Sequence, residues 1–282
     1  MSNAARPSIS DDLFEDGGGD PVLGHLVRWA APLLVGIVFL GGWELVVRLN
    51  DIPVYILPGP FRIASKLVED WGTLSGSLLV TLEITFGALI VAVIGGGGLA
   101  VLFAQSKWVE RSLYPYAVIL QVTPIIAIAP LILIYVRSTE AALLICAWIV
   151  AFFPILSNTT LGLNSVDHNF IDLMHLYRAR RFQVLWLLRL PGAMPYFLGG
   201  LRIAGGLSLI GAVVAEFAAG TAGSGSGLAY RILESGYRLD IARMYAGLVL
   251  LSLAGILIFA AFSLLSWLVL HKWHESAARR ER

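Results

Sequence analysis

Three glutamates and a run of arginines stand inside or beside strongly apolar stretches: Glu44, Glu83 and Glu216, and Arg178, Arg180, Arg181 and Arg189. Ionisable side chains in hydrocarbon are costly, and they commonly mark routes for ions or solutes. The histidines could in principle do acid–base or metal chemistry. However, His25, His168, His175, His271 and His274 show no H-E-x-x-H spacing, and Cys146 lacks a nearby histidine to activate it. No metal, no cofactor and no catalytic residue is therefore expected, and Cys146 reads as a small core residue. The chain has no G-x-x-x-x-G-K-[ST] loop with which to cradle nucleotide phosphates. "GSGSG" (Gly223 to Gly227) has no strand before it and reads as a flexible outer turn. Nothing in a net charge of +1 points to nucleic acid.

The elements that must position these groups are apolar helices. Charged residues make up only 14% of the chain, and the mean hydropathy is +0.79. Met244 to Leu270 is 27 residues without a charged side chain, long enough to cross a hydrocarbon core about 30 Å thick. Hydropathy predicts six spans, at about 29–47, 78–104, 113–135, 139–161, 195–219 and 244–270. The fold class expected is an all-α integral membrane protein. Residues 1–24 read as a disordered acidic tail, 25–274 as the membrane domain, and 275–282 as a basic tail. No basic n-region or cleavage site marks a secretory signal.

Six spans put both termini on one side. That side carries 12 basic residues against 7 on the other, which makes it cytoplasmic. The segment "DLMHLYRARRFQVLWLLRLPGAMP" (Asp172 to Pro195) is then the longest and most basic cytoplasmic connection. Leu173, Met174, Leu176 and Tyr177 form an apolar stripe beside Asp172, His175 and Arg178, so a short amphipathic helix is predicted there. Such a helix can lie among lipid headgroups or dock in a partner's groove.

Counted back from Leu190-Pro191, this segment resembles the cytoplasmic signature E-A-A-x3-G-x9-I-x-L-P of binding-protein-dependent ABC importer permeases. Asp172 stands at the Glu position, Leu173 and Met174 at the two Ala positions, Arg178 at the Gly position and Leu188 at the Ile position. "YILPGPFRIASKL" (Tyr55 to Leu67), "AFFPILSNTTLGL" (Ala151 to Leu163) and "LPGAMPYFLGGLRIAGGLSLIGAVVAEF" (Leu190 to Phe217) are similar to segments of the nitrate/sulfonate/taurine/bicarbonate branch. The resemblance covers roughly Trp43 to Trp267; Glu83 and "YVRSTEA" (Tyr135 to Ala141) depart from it.

The resemblance implies the six-helix fold of type I importers, with a coupling helix in a 165–191 loop. Asp172, Leu173, Leu176, Tyr177 and Arg178 would contact a separate ATPase, and Leu190 and Pro191 would close the loop rigidly. Arginine favours helix more than glycine does, so Arg178 is expected to lengthen the coupling helix. The resemblance further implies two ATPase copies, a periplasmic binding protein, a second permease copy and residence in a bacterial inner membrane. Its substrates are small anions such as nitrate, sulfonate, taurine or bicarbonate.

Three prolines, Pro124, Pro130 and Pro154, are expected to kink their helices. Gln121, Thr123 and Asn158 lie nearby and, with Glu216 at the outer mouth, are the expected lining of a translocation path. Gly95 to Gly98 read as a packing surface. If the outer glutamates faced the path they would repel an anion, which leaves open a neutral or cationic heterocycle such as a thiamine precursor. An ion-gradient-driven carrier is the remaining alternative, but no acid falls at mid-membrane depth. Arg202 is expected to snorkel to the cytoplasmic face.

Overall fold

Every element is a helix among the residues described by the computed structural model, 21–220 and 225–271, with side chains from residue 30 onward. The acidic tail lies outside these residues except for its last four positions, which are already helical. The basic tail lies wholly outside them. The chain divides into two compact units, residues 1–61 and 62–282.

The first unit is built on α1 (Pro21–Leu49), which runs unbroken through Pro32. Its apolar side chains are exposed from Leu33 to Leu49, as hydrocarbon-facing residues must be. Glu44 near its end accepts from Arg48 Nε at 2.6 Å and from the Phe61 amide at 3.3 Å.

The boundary falls within α2 (Pro60–Glu69), a short amphipathic helix, and the second unit contains the long helices α3 (Trp71–Gln105), α6 (Thr139–Asn164), α9 (Leu190–Ala219) and α11 (Ile241–Leu270). Between them lie α4 (Lys107–Val122), α5 (Ile125–Tyr135), α7 (His168–Leu176), α8 (Arg181–Val184) and α10 (Leu228–Tyr237). Five helical stretches are long and apolar enough to cross a membrane, and a sixth span results if α4 and α5 count as one. The hydropathy reading gave six spans; here five stretches qualify outright, and several of their ends lie outside the expected ones. The second begins at Trp71, and the fifth is continuous from Arg181.

The expected single helix over 113–135 is corrected. α4 and α5 meet at a 101° bend across Thr123-Pro124. Proline there removes the N–H that would have continued the ladder, and it pushes Thr123 into extended backbone at ψ 123°. The other two expected kinks are not breaks, since α5 continues through Pro130 and α6 through Pro154.

α6 packs most extensively against α9 and next against α3. Lipid supplies no hydrophobic drive for helices to associate, so close packing of small residues must hold them. Accordingly Ala88 and Ala92 of α3, Ala147 and Ala151 of α6, and Ala204, Ala212 and Ala215 of α9 are fully buried. Buried Cys146 belongs to the same interior, as expected. A Cβ at Gly211 would lie 2.8 Å from the Ala147 Cα, and one at Gly96 would lie 3.1 Å from the Phe152 carbonyl oxygen. Ser208 ties α9 to α3 by donating to the Thr85 carbonyl at 2.7 Å. Of the glycine run, Gly96 faces α6 while Gly97 and Gly98 face open space.

Lys66 and Arg243 converge on Asp70, at 3.2 and 3.4 Å, and join α2 to the start of α11. On α10 the Arg231 hydrogen bond holds the Glu234 carboxyl below the usual carboxylate range, and Arg238 adds to it.

Replacing Gly211 by Val should lower stability by about 1–3 kcal/mol, because a branched side chain meets backbone there. Gly97→Ala should leave it unchanged. Equilibrium unfolding in mixed micelles checks both.

Candidate functional site

The predicted amphipathic helix exists as α7. Asp167 caps it by accepting the Asn169 amide at 2.9 Å. The helix presents an exposed apolar face of Phe170, Leu173, Leu176 and Tyr177, with Leu176 at 81% and Tyr177 at 79% exposure. Asp172 and Arg178 are exposed at its rim. Ile171 and His175, on the opposite side, line a cavity against the end of α3. The structure thus brings together five of the predicted contact residues. It adds Phe170, whose signal was its spacing of three and seven residues before Leu173 and Tyr177.

Two expectations about this loop are corrected. Arg178 does not lengthen the helix. It adopts φ +54°, the left-handed conformation, immediately after the Tyr177 cap. The Arg178 amide donates to the His175 carbonyl at 2.9 Å, and the Ala179 amide donates to the Met174 carbonyl at 3.0 Å. These two bonds form the Schellman stop, whose left-handed position favours glycine because a Cβ is crowded there. The glycine of the family pattern therefore corresponds to a chain reversal that Arg178 makes under strain.

Leu190-Pro191 does not end the loop either. Leu185–Arg189 form a π-helical turn, and the Leu190 amide donates to the Leu185 carbonyl. α9 then starts with Pro191 in its first turn, where its missing N–H costs least. Leu190 packs with the cluster around Phe103 and Leu163, apart from the exposed face.

Glu216 is corrected as a path-lining residue. It is 2% exposed, and its carboxylate receives the Ala229 amide at 2.9 Å, with the Tyr230 amide and the Thr81 hydroxyl also facing it. Thr81 Oγ1 accepts the neighbouring Leu228 amide at 2.8 Å. Side chains from α9 and α3 thus cap α10, satisfying amides that every helix start leaves open. Gly227 allows this, since any Cβ there would collide with the carboxylate. Glu44 serves the start of α2 in the same way, pressed against Gly59. Two of the three outer acids are therefore internal caps. Glu83 is exposed on α3 about 3 Å below the Thr81 level at 1.5 Å per residue.

Gln121 and Thr123 line a cavity of about 350 Å³ at the α4–α5 bend, together with Leu120, Val150, Pro154 and Leu207. Pro124 and Pro154 withhold the amides that would have bonded the Leu120 and Val150 carbonyls, and both of those residues line this cavity. Asn158 is not among its lining residues. Its amide donates to the Pro154 carbonyl at 2.9 Å, and its Cβ packs where a side chain at Gly200 would be.

Arg202 lies midway along α9, about 20 Å from both Arg189 and Glu216 at 1.5 Å per residue. It is half-buried, with its guanidinium 5.6 Å from the Phe259 ring centroid. It makes no hydrogen bond or ion pair among the described residues, and its Nε is buried without a partner. Beside it an open stripe of α9 carries Gly199, Ile203, Gly206 and Ile210. Leu207 and the cavity at the bend lie on the other flank of that stripe.

A family model described as the binding-protein-dependent transport system inner membrane component matches residues 72–275. The chain belongs to this family. It is an ABC importer permease, a multi-pass membrane protein of all-helical type, and it lies in the nitrate/sulfonate/taurine branch that its motifs resemble. It is 32% identical over 244 residues to a formylaminopyrimidine transport permease of Halalkalibacterium halodurans, covering 85% of this chain and 94% of that one. It is 29% identical over 228 residues to a taurine transport permease of Escherichia coli, covering 78% and 82%. A nitrate import permease of Leptolyngbya laminosa is 26% identical over 250 residues, covering 85% and 89%. Permeases of this family work with ATPase and binding-protein partners, and these relatives are transport proteins rather than enzymes.

Two outcomes test the local geometry of the permease. Arg178→Gly should stabilise the end of α7 by about 1 kcal/mol, read as slower hydrogen exchange of the Arg178 and Ala179 amides. Glu216→Ala should cost about 1–2 kcal/mol by uncapping α10, and Glu216→Gln, which keeps an acceptor, should cost less. Thermal unfolding in detergent ranks the two variants.

Proposed function

We propose that the permease, residues 25–274, forms a homodimeric passage through a bacterial inner membrane with both termini in the cytoplasm. It receives a small anion such as nitrate, a sulfonate, taurine or bicarbonate from a periplasmic binding protein. Two copies of a separate ATPase drive the import, and the chain itself carries no ATPase site. The exposed face of Leu173, Leu176 and Tyr177, rimmed by Asp172 and Arg178, supports coupling through α7. Leu190 and Pro191 act on it indirectly, by anchoring the returning chain in α9. Gln121 and Thr123 line the path at the α4–α5 bend, and Asn158 holds the α6 backbone beside it.

The observation that carries the substrate reading is Arg202. An arginine on a lipid-facing surface at mid-depth costs about 2.5–3.5 kcal/mol on insertion scales. A position facing a passage removes that cost and offers a passing anion a cationic donor. The counterargument from the outer acids is reduced to Glu83, since Glu44 and Glu216 act as caps. A neutral or cationic heterocycle is the second reading, favoured by the similarity to the formylaminopyrimidine permease.

The test is uptake into proteoliposomes containing the permease, the ATPase and the binding protein. Accumulation of taurine or nitrate should require ATP and persist when ion gradients are collapsed. Leu176→Asp should abolish it while the permease remains inserted. Arg202→Gln should lower anion uptake at least about tenfold with binding-protein-stimulated ATP hydrolysis retained. Uptake of an aminopyrimidine in place of the anions would overturn the substrate reading. Uptake that follows the gradient without ATP would overturn the coupling.

A further inference from the structure

A second basic site lies on the cytoplasmic side of the molecule, behind the docking face. The cavity there is about 290 Å³ and is lined by Ala104 and Gln105 of α3, Ile171 and His175 of α7, Arg181 and Val184 of α8, and Arg189 of the π-turn. Its size is at the lower limit of small-molecule sites, about 300 Å³. The polar lining is one-sided in chemistry: two guanidiniums, an imidazole and a carboxamide, with no carboxylate among the described lining residues. Arg189 Nη1 donates to the Ala104 carbonyl at 2.9 Å, which fixes the side chain against the C-terminal end of α3. Its Nε is buried and has no hydrogen-bond partner among the described residues. The Arg181 and His175 side chains make no ion pair or hydrogen bond among the described residues, so donors from α7, α8 and the π-turn line one cavity with only the Ala104 carbonyl engaged.

We propose that this cavity binds a phosphate group. The planar forks of Arg181 and Arg189 suit the oxygens of a tetrahedral oxyanion, which accept several donors at once. His175 and Gln105 add single N–H donors from the other two walls. Ile171 and Val184 give it an apolar flank, which fits an esterified phosphate better than a bare ion. The site stands where the spanning part of α3 ends, so the group can belong to a lipid headgroup or to a free phosphate in the cytoplasm. Bound there, it would bridge the rear of α7 to α3 and the start of α9. It would thereby stiffen the docking helix without touching Leu173, Leu176 or Tyr177. The inference concerns binding alone and does not depend on which solute the permease imports.

The test uses the full chain in phosphatidylcholine nanodiscs, with thermal unfolding followed as inorganic phosphate replaces chloride at constant ionic strength. A saturable rise in Tm is expected, with its midpoint raised about tenfold in Arg181→Gln and in His175→Gln. Both variants leave the Arg189 bond to α3 in place, and Arg181→Lys should lie between. If the source is a headgroup, phosphate alone gives no rise, and the same Arg181-dependent rise appears on adding phosphatidylglycerol. No rise from either source would overturn the site, as would an equal rise in wild type and both Gln variants.

Discussion

A backbone in hydrocarbon has no water to bond, so every departure from an unbroken helix must be answered by the protein itself. In this permease the answers come from side chains at the helix ends. Glu216 and Thr81 meet the first amides of α10, and Glu44 meets the first turn of α2. Arg189 meets a carbonyl at the end of α3, and Thr123 donates to the Ile119 carbonyl where α4 stops at the bend. Charged and polar residues that composition marks as anomalies are in these cases the means by which short helices and turns survive beside a membrane.

The same constraint separates two kinds of charge. Glu44 accepts from Arg48 and the Phe61 amide, and Glu216 spends one carboxylate oxygen on the Ala229 amide, so both act as helix caps. Arg202 lies over the Phe259 ring, and its Nε, like that of Arg189, is buried without a hydrogen-bond partner among the described residues. Desolvation makes such a donor costly unless a ligand or a neighbouring chain completes it. By that criterion Arg202 and the Arg189 cavity stand apart from Glu44, although all of them interrupt the hydropathy profile.

Packing supplies the frame that holds these groups in register. The α3–α6–α9 interior is made of alanines and glycines, so the helices approach backbone to backbone and leave little freedom to slide. One consequence is the open stripe of α9, turned away from α6, with Arg202 on one flank and the cavity at the α4–α5 bend on the other. A second is the position of α7, whose apolar face points outward because its other side is taken by the cavity against α3.

Much of this was legible in the residues. The long apolar helices followed from apolar length, since only runs of about 20 residues cross the hydrocarbon. The amphipathic helix α7 followed from its i, i+3, i+4 stripe, and the family followed from segments along most of the chain. Partners of individual side chains were not legible, because hydrogen bonds such as that of Leu228 to Thr81 join residues 147 apart in sequence. That is why Glu216 read as a path residue until α10 was seen to sit on it. The helical end was missed for a related reason: hydropathy began the fifth span at about 195, whereas the π-turn joins α8 to α9 and carries the helix on from Arg181. Arg178 shows the limit most sharply. Helix propensity is a property of the residue, but the left-handed stop is imposed by where the chain must go next, and only the tertiary structure decides that.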